Sequence, residues 1–411
     1  MSRVLLCVSL LAATAAAGDD GWRRERWTVE PFTAAMGGGP DWGPVQAVGA
    51  SLWSMAPDRD GGLYLVVGRD HDGEGEQYVD IVTPDGLRTH LAGSGALGYR
   101  DGPAAEAQFR MGVGAYYGYT NIQVDDRRNV FVPDNGNDCV RRIFKDAQGR
   151  WTVETYAGGG QRKLGPGETC PPREAAIGGT ILVVAAPDGQ LTIATTHACY
   201  QVTADGRSLR CLGPWPASVA PPGRAPRLNC CGGDCDRQGN AYFVARTPDV
   251  VVRVTPDGAM SHIAGLVVSG RKPHEVGDGP PLAAYFDTPS SGFASPAGAC
   301  VYACGGDEYD IRRVPTDLKT TTATLLKNGR WYIMPVHPNR NRGPAAFDPA
   351  LEGKSRAEGG PLSNLVVAPL VGRDAEGNLY GKINDWSGRT QDVAGRGLLG
   401  TRVFRLRRLA E

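Results

Sequence analysis

The chain has 411 residues, a formal net charge of +0, 57 Gly, 30 Pro and 8% aromatic residues. Neutrality removes the global attraction on which nucleic-acid or anionic-membrane binding would rest, and no run beyond the N-terminus is long and apolar enough to span a bilayer. Abundant Gly and Pro without a collagen period point to many turns joining short strands, and a closed all-β domain can use this whole length.

Residues 1–17 read as a secretory signal peptide: Arg3, an apolar run from Val4 to Ala12, then small residues at Ala15 and Ala17. A secreted or periplasmic protein is expected, with residues 26–411 as its folded domain. Nine cysteines remain after cleavage. In an oxidising compartment most should pair, and an odd count leaves one over. Cys199 and Cys211 are symmetric about Asp205 in a hairpin, so they are expected to face each other as a disulfide.

Repeats organise the remainder. One marker is a hairpin turn: Val82-Thr83-Pro84-Asp85-Gly86, Val202-Thr203-Ala204-Asp205-Gly206 and Val254-Thr255-Pro256-Asp257-Gly258. Asp-Gly supplies the tight reversal, and Pro presets φ where it occurs. A second marker, an aromatic or apolar strand start, lies about one strand earlier: Gly62-Leu63-Tyr64, Asn129-Val130-Phe131, Gln190-Leu191-Thr192, Asn240-Ala241-Tyr242, Cys300-Val301-Tyr302 and Asn378-Leu379-Tyr380. These six copies predict an all-β, six-bladed β-propeller of four-stranded antiparallel blades, at about 45–93, 115–159, 176–213, 228–265, 292–336 and 364–411. The outer strand of the fifth blade is either Trp331–Val336 or the Thr320–Leu326 run, and residues 338–361 read as an insertion. Arg26-Trp27-Thr28-Val29-Glu30 recurs as Arg150-Trp151-Thr152-Val153-Glu154, an outer strand. The N-terminal run is therefore expected to supply the outer strand of the last blade and close the ring.

The fullest copy runs from Leu91 to Ile143. It opens Leu91-Ala92-Gly93-Ser94-Gly95, continues with Asp101-Gly102-Pro103, Ala107 and Phe109, and ends in Asn129-Val130-Phe131-Val132-Pro133-Asp134-Asn135-Gly136-Asn137-Asp138-Cys139-Val140-Arg141-Arg142-Ile143. This order resembles the NHL repeat, and Asp278-Gly279-Pro280 with Ala284 and Phe286 repeats its first half. The resemblance implies a propeller fold. Its relatives include protein-binding scaffolds, RNA binders and sensor ectodomains, and related six-bladed families include metal-dependent lactonases and lyases.

Long, polar loops are expected on one face, where the second strand of each blade hands over to the third and where the chain enters each inner strand. Candidate ligand-binding residues there are Asp134, Asn135, Asn137, Asp138, His197, Arg246, Asp249, Asp307, Glu308, Tyr309, Asn384 and Asp385. Asp70, Asp72 and Glu74 stand among glycines in the acidic loop Arg69-Asp70-His71-Asp72-Gly73-Glu74-Gly75-Glu76 and are candidate ligands for Ca²⁺, which takes six to eight oxygens. His90 and His262 occupy equivalent outer-strand positions and read as structural repeat residues. The functional expectation is an exported binding or scaffold module for a protein or glycan partner, with no nucleic acid and no membrane span. The alternative is a Ca²⁺- or Zn²⁺-dependent lactonase, hydrolase or lyase with its ion at the channel mouth.

Overall fold

A computed structural model describes residues 27–31, 51–58, 60–68, 75–83, 88–111, 121–179, 181–268, 280–284, 286, 289–294, 298, 300–305, 310–316, 323–326, 370–373, 379–391 and 397–408. In chain order the strands are β1 (Trp27–Pro31), β2 (Ser51–Pro57), β3 (Leu63–Gly68), β4 (Gln77–Val82), β5 (Arg88–Gly95), β6 (Gly102–Pro103), β7 (Gln123–Val124), β8 (Val130–Asp134), β9 (Cys139–Lys145) and β10 (Trp151–Gly158). There follow β11 (Thr169–Cys170), β12 (Leu182–Ala185), β13 (Leu191–Ala194), β14 (Ala198–Val202), β15 (Leu209–Pro214), β16 (Cys230–Cys235), β17 (Ala241–Ala245), β18 (Val250–Val254) and β19 (Met260–Ala264). The last are β20 (Pro289–Ala294), β21 (Cys300–Gly305), β22 (Asp310–Pro315), β23 (Ala323–Leu326), β24 (Leu370–Arg373), β25 (Leu379–Gln391) and β26 (Gly397–Arg408).

The fold is an all-β propeller of four-stranded antiparallel blades, each built as a meander such as β2-β3-β4-β5 or β16-β17-β18-β19. The uniformity expected of the blades needs correction. Four sheets have four strands, whereas β6 adds to the outer edge of β10 and β11 to that of β15, making five. These short additions cover an edge that would otherwise present unpaired backbone groups. β1 pairs with β26, Trp27 opposite Arg408 and Pro31 opposite Phe404. The innermost strands touch in turn, β2 with β7, β7 with β12, β12 with β16, β16 with β20, β20 with β24, and β24 with β2.

Burial explains why the strands carry apolar runs rather than alternation. β3, β8, β12, β13 and β17 are buried at every position, because each lies in a sheet covered on both faces by its neighbours. The outer strands β10 and β19 have partly exposed positions. Each core is therefore a seam between two sheets. Phe109, Val66 and Val130 share one, Phe131, Ile177 and Ile193 the next, and Trp215, Phe243 and Leu228 a third.

The Asp-Gly turns form as expected at Thr203–Ser208 and Thr255–Ala259, where each Thr carbonyl accepts from the Gly N–H three residues on. The outer strand of the fifth blade is β23, Ala323–Leu326, and Trp331–Val336 lies outside the described residues. A long loop is expected at about 382–401, but much of it is strand, because the β25–β26 pairing continues through Asp385 opposite Gly400 and resumes at Thr390 opposite Leu398. Residues 1–17 and 338–361 are also outside the described set. Among the described residues, no helix is long and apolar enough to cross a membrane.

Candidate functional site

The best-defined part of the loop face is the connection from β8 to β9. Asn135–Asn137 make one 3₁₀ turn, and Asp138 follows in the left-handed region at φ 50°. Asn and Asp tolerate these conformations because their short side chains bond locally. Gly136 is required by space, since a Cβ there would lie 2.7 Å from the Arg110 carbonyl oxygen.

Asp134 has no exposed surface. Its Oδ1 accepts from Arg110 N at 2.7 Å, and its Oδ2 accepts from Asn137 Nδ2 at 2.8 Å and Arg141 Nη1 at 2.9 Å. Arg141, equally buried, donates in addition to Asp101 Oδ1 from Nη2 at 2.6 Å, to the Gln108 carbonyl at 2.9 Å and to the Arg100 carbonyl at 2.8 Å. Its guanidinium lies 5.1 Å from the centroids of both Tyr99 and Phe109. Asp101 Oδ2 in turn accepts from Thr155 N at 2.9 Å. The ensemble clamps the 98–110 loop and the outer strand onto the β8–β9 connection. Burial pushes the Asp134 carboxyl above its ordinary value, opposed by its bonds from Asn137, Arg110 N and Arg141, while Asp134 keeps Arg141 firmly charged against the cost of its own burial.

In this clamp both carboxylate oxygens of Asp134 and the Nδ2 of Asn137 bond within the fold. Asn135 is likewise structural on one side: its Oδ1 accepts from Ile181 N at 2.9 Å, tying β8 to the approach to β12. Its Nδ2 is buried without a partner. Asp138 is exposed and its Oδ1 accepts from Gly179 N at 3.3 Å.

The other candidates spread along the same face. His197, in the β13–β14 connection, is exposed, with its Nε2 3.2 Å from Arg227 Nη2. Arg246 and Asp249 lie in the β17–β18 connection, and they act with opposite sign on the Cys231 thiol, which burial drives well up. Asn384 and Asp385 lie in β25 opposite Thr401 and Gly400, with side chains outside the described residues. Asp307, Glu308 and Tyr309, and the acidic Asp70, Asp72 and Glu74, lie wholly outside them. No group of three or more His, Cys, Asp or Glu able to hold a metal ion occurs among the described residues.

The cysteine expectation also changes. The β14–β15 hairpin register sets Cys211 opposite Tyr200, and a β-bulge between Cys199 and Tyr200 moves Cys199 further, opposite Gly213. The two thiols do not face each other and both are free. Cys231 Sγ instead donates to the Pro289 carbonyl at 2.9 Å, and Cys235 Sγ to the Ala185 carbonyl at 3.1 Å.

The two repeat histidines behave alike. His90 Nε2 bonds the Gly93 carbonyl at 2.8 Å and its Nδ1 meets Asp80 at 3.1 Å; His262 Nε2 bonds the Gly265 carbonyl at 2.9 Å. Each imidazole fixes the turn three residues after it.

Arg141 is the residue that the sequence left unmarked. It follows an apolar pair, Cys139 and Val140, inside a strand, and the carboxylates of Asp101 and Asp134 precede it in the same repeat. A charged residue in such a run needs a buried partner.

No protein-family model matches the chain, and no curated protein matches it. Solved structures with a similar course are propeller proteins. A nutrient-binding protein from Bacteroides ovatus aligns at 15% identity over 88% of this chain and 70% of its own, with a TM-score of 0.45. A gluconolactonase from Xanthomonas campestris aligns at 11% identity over 98% and 97%, with a TM-score of 0.43. A pyrroloquinoline-quinone-bound aldose sugar dehydrogenase from Streptomyces coelicolor aligns at 16% identity over 93% and 98%, with a TM-score of 0.39.

Proposed function

We propose that this chain is an exported, closed ring of six NHL-like blades that binds a protein or glycan partner through its loop face. The circuit of contacts among the innermost strands supports six blades, and the pairing of β1 with β26 supports closure by the N-terminal strand. One observation carries the functional part. The carboxylate that a channel-mouth cation would need, Asp134, is enclosed by three donors and fully buried, whereas Asp138 and His197 on the same face are exposed. The described groups at the channel mouth do not fit a Ca²⁺ or Zn²⁺ site: the buried carboxylate has its donors already, and among the described residues no three His, Cys, Asp or Glu side chains gather to hold an ion.

The test is direct binding by the immobilised protein to a panel of glycans and peptides, followed by substitution on each face. Asp138→Ala and Arg246→Ala should weaken a panel ligand, while Arg150→Ala on the opposite rim should not. Loss confined to the opposite rim, or turnover of a lactone by the protein, would contradict the proposal.

A further inference from the structure

The segment between β15 and β16 carries a basic group. Its residues 215–229 include Arg224 and Arg227 and contain no Asp or Glu. The backbone around Arg227 is held from both sides. Leu228 N donates to the Thr196 carbonyl at 3.0 Å, and the Asn229 carbonyl accepts from Arg246 N at 2.8 Å. Thr196 belongs to the β13–β14 connection and Arg246 to the β17–β18 connection, so Arg227 sits where loops of two adjacent sheets meet. Trp215 anchors the start of the segment, buried and donating Nε1 to the Thr195 carbonyl at 2.9 Å.

The Arg227 side chain is exposed and meets His197 Nε2. A guanidinium can only donate, so the imidazole Nε2 is the acceptor in this contact. Several exposed arginines reach carboxylates: Arg100 reaches Glu106, Arg150 reaches Asp146 and Arg173 reaches Glu154. Among the described residues no carboxylate pairs with Arg227. One fixed positive charge therefore stands on a pinned backbone, with most of its donors open to solvent.

We propose that Arg227, oriented by His197, is a subsite for a carboxylate carried by the loop-face ligand. This rests on the loop-face reading and names the chemistry of its ligand. The guanidinium fork matches the two oxygens of a carboxylate, and a single negative charge balances it. A sugar acid and an acidic amino acid share that group. His197 is a positioning residue, holding the guanidinium without touching the carboxylate.

The experiment is calorimetric titration of the full mature chain with glucuronate and with N-acetylglutamate, using glucose and sulfate as controls. At least one acid should saturate at a single site, and whichever binds identifies the source of the carboxylate. Arg227→Ala should weaken it about tenfold or more, and Arg227→Lys should also weaken it, since charge without the fork is not sufficient. His197→Ala should weaken it less, with recovery in His197→Gln, which restores an acceptor. Unchanged binding in Arg227→Ala with an unchanged melting temperature would overturn the subsite, as would sulfate binding as tightly as either acid. If a panel ligand still binds the loop face of Arg227→Ala with undiminished affinity, the subsite fails alone. If no ligand of any kind binds the wild type, the loop-face proposal fails with it.

Discussion

Replacing Arg141 by Met isolates the buried clamp. Both Arg141 and Asp134 have no exposed side-chain surface, and their Nη1–Oδ2 contact is 2.9 Å. Removing the cation leaves Asp134 buried with two neutral donors, and also strips the Gln108 and Arg100 carbonyls of a bond each. Breaking such a pair costs about 3–5 kcal/mol, a large part of the ~5–15 kcal/mol that stabilises a typical domain. Asp134→Asn keeps the shape and should cost only about 1–3 kcal/mol. The double variant should be about 2 kcal/mol more stable than Arg141→Met alone, because no charge is then stranded. The pH dependence has a definite sign. Burial raises the folded-state value of Asp134, so its protonated form contributes stability below the ordinary carboxylate range, and that contribution is lost as pH rises through the folded value. The defect of Arg141→Met should accordingly be largest at neutral pH and shrink in acid. Urea unfolding followed by tryptophan fluorescence measures all of this. A cost for Arg141→Met under about 1 kcal/mol, or a double variant no better than the single one, would refute the reasoning.

Three further outcomes follow from the same structure. Alkylation of the denatured, unreduced protein and mass mapping should find Cys199 and Cys211 as free thiols; a bridge between them would contradict the shifted register. Asp236 is 2% exposed and accepts from Gln238 N, Asn240 N, Asn240 Nδ2 and Tyr242 OH, so Asp236→Ala should cost about 2–4 kcal/mol in a denaturant melt. Burial lowers His262 below its ordinary 6.5, so the unfolded chain binds the extra proton and stability should fall as pH drops through that value. In His262→Gln that part of the slope should vanish.

The sequence carried the architecture because its signals are local. Asp-Gly turns, the Leu63-Tyr64 and Val130-Phe131 strand starts and the Trp27-Val29 echo each report a nearby backbone choice, and strands and turns formed there. Long-range facts were less legible. Symmetry about Asp205 suggests a pairing of Cys199 with Cys211, but the hairpin centres between Asp205 and Gly206, which sets Cys211 opposite Tyr200, and a bulge moves Cys199 further, opposite Gly213. Asp134 and Asn137 looked like ligands because their type suits ligation; only their distances to Arg110 N and Arg141 reveal that they are fastened inward. Arg227 is not legible in the sequence because its partner His197, and the Thr196 carbonyl and Arg246 N that hold the neighbouring Leu228 and Asn229 backbone, come from other loops.

The central claim is that the carboxylate at the channel mouth holds the fold together and the loop face around it binds rather than catalyses. Melting curves of the wild type and of Asp134→Asn, in EDTA and then with saturating Ca²⁺, test it most directly. Neither protein should show a Ca²⁺-dependent shift, and the variant should show a modest, ion-independent loss. A saturable Ca²⁺-dependent rise in the wild type, about 2.7 kcal/mol at a hundredfold excess over Kd, that disappears in Asp134→Asn would contradict it.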